Sequence, residues 1–270
     1  MEAFFIPARG GQRFCIYHAA PRGPAHGSVL YIHPFAEEMN KARRMAALQA
    51  RAFADAGYAV LQIDLTGCGD SSGDFAEATW EMWLEDVALA CEWLRRRAPS
   101  PLWLWGLRSG CLLAIEAVRR LHTTFPLLFW QPTLNGPLVL RQFLRTKLAA
   151  EMLSGSGAAV IDSLRSDLAA GKNVEVAGYE LAPGLALGLE RATLAPCDRV
   201  TRLEWFEVSP NEAIEVPAVV AAAKLSWEQA GCSVRYVHVQ VPAFWQTTEI
   251  EEAPNLISAT LTAVLERVAA

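Results

Sequence analysis

Trp105-Gly106-Leu107-Arg108-Ser109-Gly110-Cys111 is the stretch on which the fold turns. Leu102-Trp103-Leu104-Trp105, just before the turn, is an apolar run of strand length. Cys111 to Leu121, just after it, carries apolar residues at helical spacing. Gly106 and Gly110 permit a sharp strand-to-helix crossing, because neither carries a Cβ. The first turn of the following helix presents unpaired N–H groups, which favour negative charge. In a Gly-x-Xaa-x-Gly turn the middle residue stands at the tip. Here that residue is Arg108, and Ser109 follows one position late, where the helix begins.

Working outward, short β-rich runs alternate with helical patterns through the first half. Phe14–His18 and Ser28–His33 read as strands, Met45–Ala56 as a helix ended by Gly57, and Tyr58–Asp64 as a strand closed by Gly67, Gly69 and Gly73. Trp80–Arg97 reads as a helix stopping before Pro99, and Phe125–Trp130 as a further strand. Strands alternating with helices predict a mostly parallel sheet covered on both faces. From Pro132 to about Arg202 the chain reads as helices and loops, with Gly, Ser and Ala gathered around Ser154–Ala158. Strand signals return at Leu203–Val208 and Val234–Val239, and a last amphipathic helix covers roughly Pro254–Val268. The expectation is one α/β domain over residues 1–270, with residues 134–202 inserted as a helical cap.

Composition narrows the function classes. The 270 residues are 52% hydrophobic with a net charge of −5, which excludes disorder and argues against a basic nucleic-acid face. The six cysteines are scattered without a Cys-x-x-Cys pair, so no metal and no cofactor is expected. No apolar run approaches the ~20 residues of a membrane-spanning helix. Met1–Pro7 has an early acid and an early proline, unlike a signal peptide. The expected setting is cytoplasmic. The expected partner is a small-molecule, acyl or anionic ligand, with a homodimer or protein partner docking through the cap helices of Leu138–Leu153.

The turn at Arg108 has the context of a nucleophile elbow, in which Gly-x-Ser-x-Gly raises a serine at the tip. His33-Pro34-Phe35-Ala36 follows the second strand, where half of an oxyanion hole forms on such a scaffold. Pro34 has no N–H, so Phe35 or Ala36 is the donor. Asp64-Leu65-Thr66-Gly67-Cys68-Gly69-Asp70-Ser71 resembles the architectural Asp-x-x-Gly-x-Gly-x-Ser turn of the same scaffold. A narrower likeness rests on His33-Pro34-Phe35-Ala36-Glu37-Glu38-Met39-Asn40-Lys41, Gly67-Cys68-Gly69-Asp70-Ser71, Trp105-Gly106-Leu107-Arg108, Phe129-Trp130-Gln131-Pro132, Gln142-Phe143-Leu144-Arg145 and Phe244-Trp245-Gln246-Thr247, in that order. Together these blocks resemble the second α/β-hydrolase-superfamily protein associated with exosortase A systems. The resemblance implies an α/β-hydrolase fold, a hydrolase name inherited from it, and genes beside an exosortase and exopolysaccharide locus. It names no substrate.

Two functions stay open on this scaffold. One is hydrolysis of an ester- or thioester-type acyl bond at a rearranged site using His33, Ser109 or a carboxylate. The other is a catalytically lapsed protein binding an anionic ligand or a partner. The acid position after the penultimate strand points to Glu212, with Glu207 second. The base should follow the last strand, but Val241–Glu249 contains no histidine, and Trp245 or Gln246 takes its place. Of His18, His26, His33, His122 and His238, only His33 is placed for chemistry. Arg108 is either a helix-start residue paired with a carboxylate or a planar clamp for an anion. Ser109 is either a nucleophile or a helix N-terminal residue satisfying a backbone donor. Glu37 and Glu38 are either a solvated helix start or acid/base groups, with Glu38 preferred. Phe35, Ala36, Glu37, Gln131 and Trp245 are the expected ligand contacts, because the carboxyl ends of strands bind ligands in open α/β sheets.

Overall fold

The computed structural model describes residues 1–21, 25–98, 101–151, 157–212 and 215–266. The chain begins with an antiparallel pair, β1 (Glu2–Ala8) and β2 (Gly11–His18). It continues through β3 (Gly27–Ile32), α1 (Glu37–Asp55), β4 (Tyr58–Ile63), α2 (Trp80–Arg95), β5 (Leu102–Leu107), α3 (Gly110–Arg120) and β6 (Phe125–Trp130). An excursion follows: α4 (Gly136–Glu151), α5 (Gly157–Ala169), the hairpin β7 (Val174–Val176) and β8 (Tyr179–Leu181), and α6 (Pro183–Arg191). The core resumes with β9 (Val200–Ser209), α7 (Ala218–Gln229), β10 (Ser233–Gln240) and α8 (Pro254–Leu265).

The main sheet has the order β1-β2-β4-β3-β5-β6-β9-β10, antiparallel at β1, β2 and β4 and parallel from β4 to β10. The buried strands read as continuous apolar runs because both faces are covered. Alternate residues feed two cores. Leu30, Ile32, Leu104, Leu127 and Phe129 face α2 and α3, with Trp83 and Leu113 among their neighbours. Val29, Tyr31, Trp103, Trp105 and Trp130 face α1 and α8, packing with Met45, Phe53, Leu256 and Val264. Each fully buried side chain of this size is worth about 1.5–3 kcal/mol of transfer free energy. The excursion is not a separate core: Leu140, Phe143, Leu144, Leu185 and Leu189 belong to the first cluster. Its neck is tied where the Leu194 N–H donates to Leu134 O (2.9 Å) and the Gly136 N–H to Ala192 O (2.9 Å).

The structure adds β1 and α7, which the sequence reading does not include, and departs from it elsewhere. The segment expected to hold helices and loops also contains the β7–β8 hairpin, whose three-residue strands are too short to show a period of two. Helix α1 starts at Glu37, earlier than its apolar stripe, because two acids in the first turn suit the helix N-terminus. Of the cap residues expected to meet a partner, Val139, Leu140, Phe143 and Leu144 are buried, while Leu138, Arg141 and Arg145 are exposed. Leu153, most of the Ser154–Ala158 stretch, and Val268 lie outside the described residues. Among the described residues, no helix is long and apolar enough to cross a membrane.

Candidate active site

The chain runs from β3 through α1 to β4 on one side, then returns through α2 to β5 on the other. The carboxyl ends of β3 and β5 therefore meet at the point where the strand order reverses, which is where open α/β sheets place ligands. His33-Pro34-Phe35-Ala36 leaves β3 there, and the turn at Arg108 leaves β5. A Cβ on Gly106 would lie 2.7 Å from the Cys111 nitrogen, and one on Gly110 would collide with the Ile32 and His33 carbonyls. Both glycines are thus demanded by close approach. Arg108 sits between them with φ 55°, a left-handed backbone that costs a side-chain-bearing residue about 1–2 kcal/mol. The surroundings hold it there: its N–H donates to Trp130 O (3.0 Å), and its carbonyl accepts from the Cys111 N–H (3.2 Å).

The Arg108 side chain is buried. Its Nε donates to Glu38 Oε1 (3.3 Å), one terminal nitrogen donates to Gln142 Oε1 (3.0 Å), and the guanidinium lies 5.6 Å from the centre of the Trp245 ring. Of the two readings of this arginine, the geometry has the one paired with a carboxylate. Burial pushes the Glu38 carboxyl above its ordinary range, and the Arg108 charge offsets only part of that rise. Trp245 comes from the loop after β10, where the base of this scaffold would stand. It ends an aromatic row running Tyr31–Trp105–Trp130–Phe244–Trp245 at centroid spacings of 4.4, 4.7, 6.0 and 5.0 Å. Trp130 is anchored in turn by its indole N–H on Thr260 Oγ1 (2.9 Å).

His33 is buried at the end of β3 with both ring nitrogens engaged. A carbonyl can only accept, so Nδ1–H donates to Pro34 O (2.8 Å), leaving Nε2 to accept from the Leu65 N–H (3.2 Å). Burial lowers its pKa and keeps the ring neutral. The imidazole braces its own loop and has no free lone pair for a serine proton. Ser109 is also buried, but its side chain makes no capping bond, against the expectation that it satisfies a backbone donor. Ala36 has φ 49° and stands as the N-cap of α1. It shares the strained entrance of α1 with Phe35, whose ring meets Phe75, Trp83 and Phe143.

A cavity of about 320 Å³ opens beside this group. Its walls include Phe35, Glu37, Glu38, Lys41, Gln142, Phe143, Trp245 and Gln246. Arg108 is not among the lining residues; it lies behind Glu38, Gln142 and Trp245, each of which it contacts. Glu37 and Trp245 each keep a buried polar atom without a partner, Oε2 and Nε1 respectively. Three expected site residues fall elsewhere, and Ala36, an expected ligand contact, is not on the cavity wall either. Gln131 spends its amide between β6 and β9, donating to Glu207 Oε1 (2.7 Å) and accepting from the Val208 N–H, and it lines no part of the cavity. Glu207 also accepts from the Trp205 indole, and Glu212 is exposed on the loop after β9. Sequence reasoning missed the contribution of α4. Val139, Gln142, Phe143 and Thr146 all line the cavity, and their i, i+3, i+4, i+7 spacing marks one helix face that could have been read from the sequence.

Comparison with known proteins agrees with this architecture. A family model described as serine aminopeptidase S33 (Hydrolase_4) matches residues 23–156. The human protein ABHD12B is 27% identical over 218 residues, covering 74% of this chain and 54% of the relative. The lysophosphatidylserine lipase ABHD12 of Danio rerio is 26% identical over 137 residues, 44% of this chain and 35% of the relative. The chain thus spans about half the length of the first relative and about a third of the second. Est1E from Butyrivibrio proteoclasticus, solved with ferulic acid bound, superposes with a TM-score of 0.67 at 15% identity, covering 97% of this chain and 98% of that one. Alpha/beta hydrolase domain-containing protein 10 from mouse gives 0.59 at 14% identity, with 98% of each chain covered. At such identities the likeness concerns the fold, and the fold is that of the α/β hydrolases: a mostly parallel sheet flanked by helices.

Proposed function

We propose that this chain uses the α/β-hydrolase fold to bind a small acyl-type ligand and forms no seryl-enzyme intermediate. The observation that carries this reading is the residue at the elbow tip. Arg108 is permanently charged, cannot attack a carbonyl, and is already neutralised by Glu38. Ser109 stands one residue away without an activating base, since His33 has both nitrogens committed and the loop after β10, where Trp245 and Gln246 lie, carries no histidine. The anion-clamp version of binding is disfavoured by the same pair, because Glu37 and Glu38 rather than the guanidinium face the cavity. The exosortase A resemblance supports placing this binding role beside exopolysaccharide assembly.

A fluorophosphonate probe tests the proposal. It should leave the protein unlabelled, as it leaves Ser109→Ala; labelling that disappears in Ser109→Ala overturns it. One observation favours a second reading, acyl-bond hydrolysis without serine. The Glu38 carboxyl, raised by burial, lines the cavity and is suited to take a proton from a water attacking an acyl carbonyl. The water's proton would pass to Glu38, its oxygen to the acyl carbon, and the proton on to the departing alcohol. Turnover of p-nitrophenyl acetate that survives Ser109→Ala and is lost in Glu38→Gln selects this reading.

A further inference from the structure

Helix α4 carries two different faces. Val139, Gln142, Phe143 and Thr146 line the cavity, whereas Arg141 and Arg145, one turn apart, are exposed. Among the described residues neither arginine takes part in an ion pair or a hydrogen bond. The other helices treat such cations differently. Glu92–Arg96, Glu116–Arg120 and Lys224–Glu228 each set an acid four residues from a base. Arg95, Arg119 and Arg191 lie in the last turns of α2, α3 and α6, where the helix dipole favours a cation. Arg141 and Arg145 have neither support, since the last turn of α4 holds no basic residue and like charges at i, i+4 repel. At 3.6 residues per turn, Arg145 lies about 60° and Arg141 about 100° around α4 from Gln142, on the side away from Val139 and Phe143. Gln142 is therefore the boundary between the cavity wall and a cationic outer face. The two acids of the wall, Glu37 and Glu38, come from α1, so an anion is repelled inside the cavity and attracted outside it.

We propose that the acyl compound bound in the cavity carries a phosphate group, which Arg141 and Arg145 hold on the outer face of α4. This rests on the reading of the cleft as an acyl-ligand site. The acyl end lies against Phe35, Val139 and Phe143, and the chain crosses the rim at Gln142. An α-helix is about 10 Å across with its side chains, so a linker of about that length joins the acyl group to the phosphate. Arginine suits the outer end, because its planar fork makes paired hydrogen bonds to phosphate oxygens. A thioester on a phosphopantetheine-type arm has this form.

Three probes separate the elements: S-butyryl coenzyme A, S-butyryl-N-acetylcysteamine, which lacks phosphate, and coenzyme A, which lacks the acyl group. Titrated calorimetrically at pH 7 into the full chain, butyryl coenzyme A should bind at least tenfold more tightly than either of the others. The double variant Arg141→Gln, Arg145→Gln should weaken it about tenfold and leave the cysteamine thioester unchanged. Thermal melts should show the variant as stable as the unaltered protein, because both side chains are exposed and unpaired. Raising salt from about 50 to about 500 mM should weaken butyryl coenzyme A on the unaltered protein and hardly at all on the variant. If the two thioesters bind equally, or the double variant holds butyryl coenzyme A as before, the phosphate assignment is wrong while the acyl reading stands. If coenzyme A binds as tightly as its thioester, the arginines serve a site separate from the cleft and the proposal falls. If neither thioester binds at millimolar concentration, the acyl reading itself fails and takes the proposal with it.

Discussion

Removing the charge of Arg108, of Glu38, and of both together measures the contact that stands where a nucleophile would be. The pair is separated by 3.3 Å, and its side chains are only 10% and 16% exposed. At an effective dielectric of 20, opposite charges at that distance attract by about 5 kcal/mol before desolvation is counted. Desolvation offsets much of this, so a net coupling of about 2 kcal/mol is expected. Arg108→Met should cost about 3 kcal/mol, because it strands a partly buried carboxylate and gives up the Trp245 contact. Glu38→Gln should cost about 2 kcal/mol, since the guanidinium keeps Gln142 but loses its counter-charge. The double variant should cost about 3 kcal/mol, well below the sum. The left-handed backbone at position 108 affects both Arg108→Met species equally and cancels from the cycle. Urea denaturation of the four proteins at pH 7 gives the coupling. As acid protonates Glu38, the coupling should shrink. Additivity within about 0.4 kcal/mol would refute the ion pair as the element that organises this cleft.

Three further outcomes follow from the same geometry. Gly110→Ala should destabilise the protein by about 3 kcal/mol in urea melts, because its Cβ meets two carbonyl oxygens, whereas Ser109→Ala should cost less than about 0.5 kcal/mol; equal effects would contradict the close crossing of β3 and α3. His33 is held neutral with a lowered pKa, so the unfolded chain binds the extra proton below about pH 6.5. Stability is therefore complete above that pH and falls on acidification, by up to about 1.4 kcal/mol per pH unit from this residue, and the slope should flatten in His33→Gln. Finally, burial raises the thiols of Cys15 and Cys91 to about 12 and that of Cys232 to about 11, and also lifts Cys68 and Cys111. A thiol reagent at pH 8 should react with the half-buried Cys197 alone in the native protein and with all six cysteines in denaturant; rapid native reaction of more than one would show the cores to be looser than described.

The sequence by itself determined the scaffold, since its signals are local. Apolar runs such as Val29–Ile32 and Leu102–Trp105 are legible as buried strands because every residue in them is apolar. The pair Gly106 and Gly110 is legible as a sharp crossing because only glycine tolerates that approach. The residue at the tip and the lack of a histidine after the last strand could be read without coordinates. Tertiary structure decided what those residues do. Arg108 meets Glu38 from 70 positions away and Gln142 from 34. The second nitrogen of His33 is claimed by the N–H of Leu65, 32 residues on. Gln131 is drawn off to Glu207 across the sheet rather than into the cleft. Such pairings depend on which loops the sheet order brings together, and no periodicity in the chain encodes them. The histidine on the active edge of the sheet thereby became a brace, and the arginine at the elbow became one half of an internal ion pair.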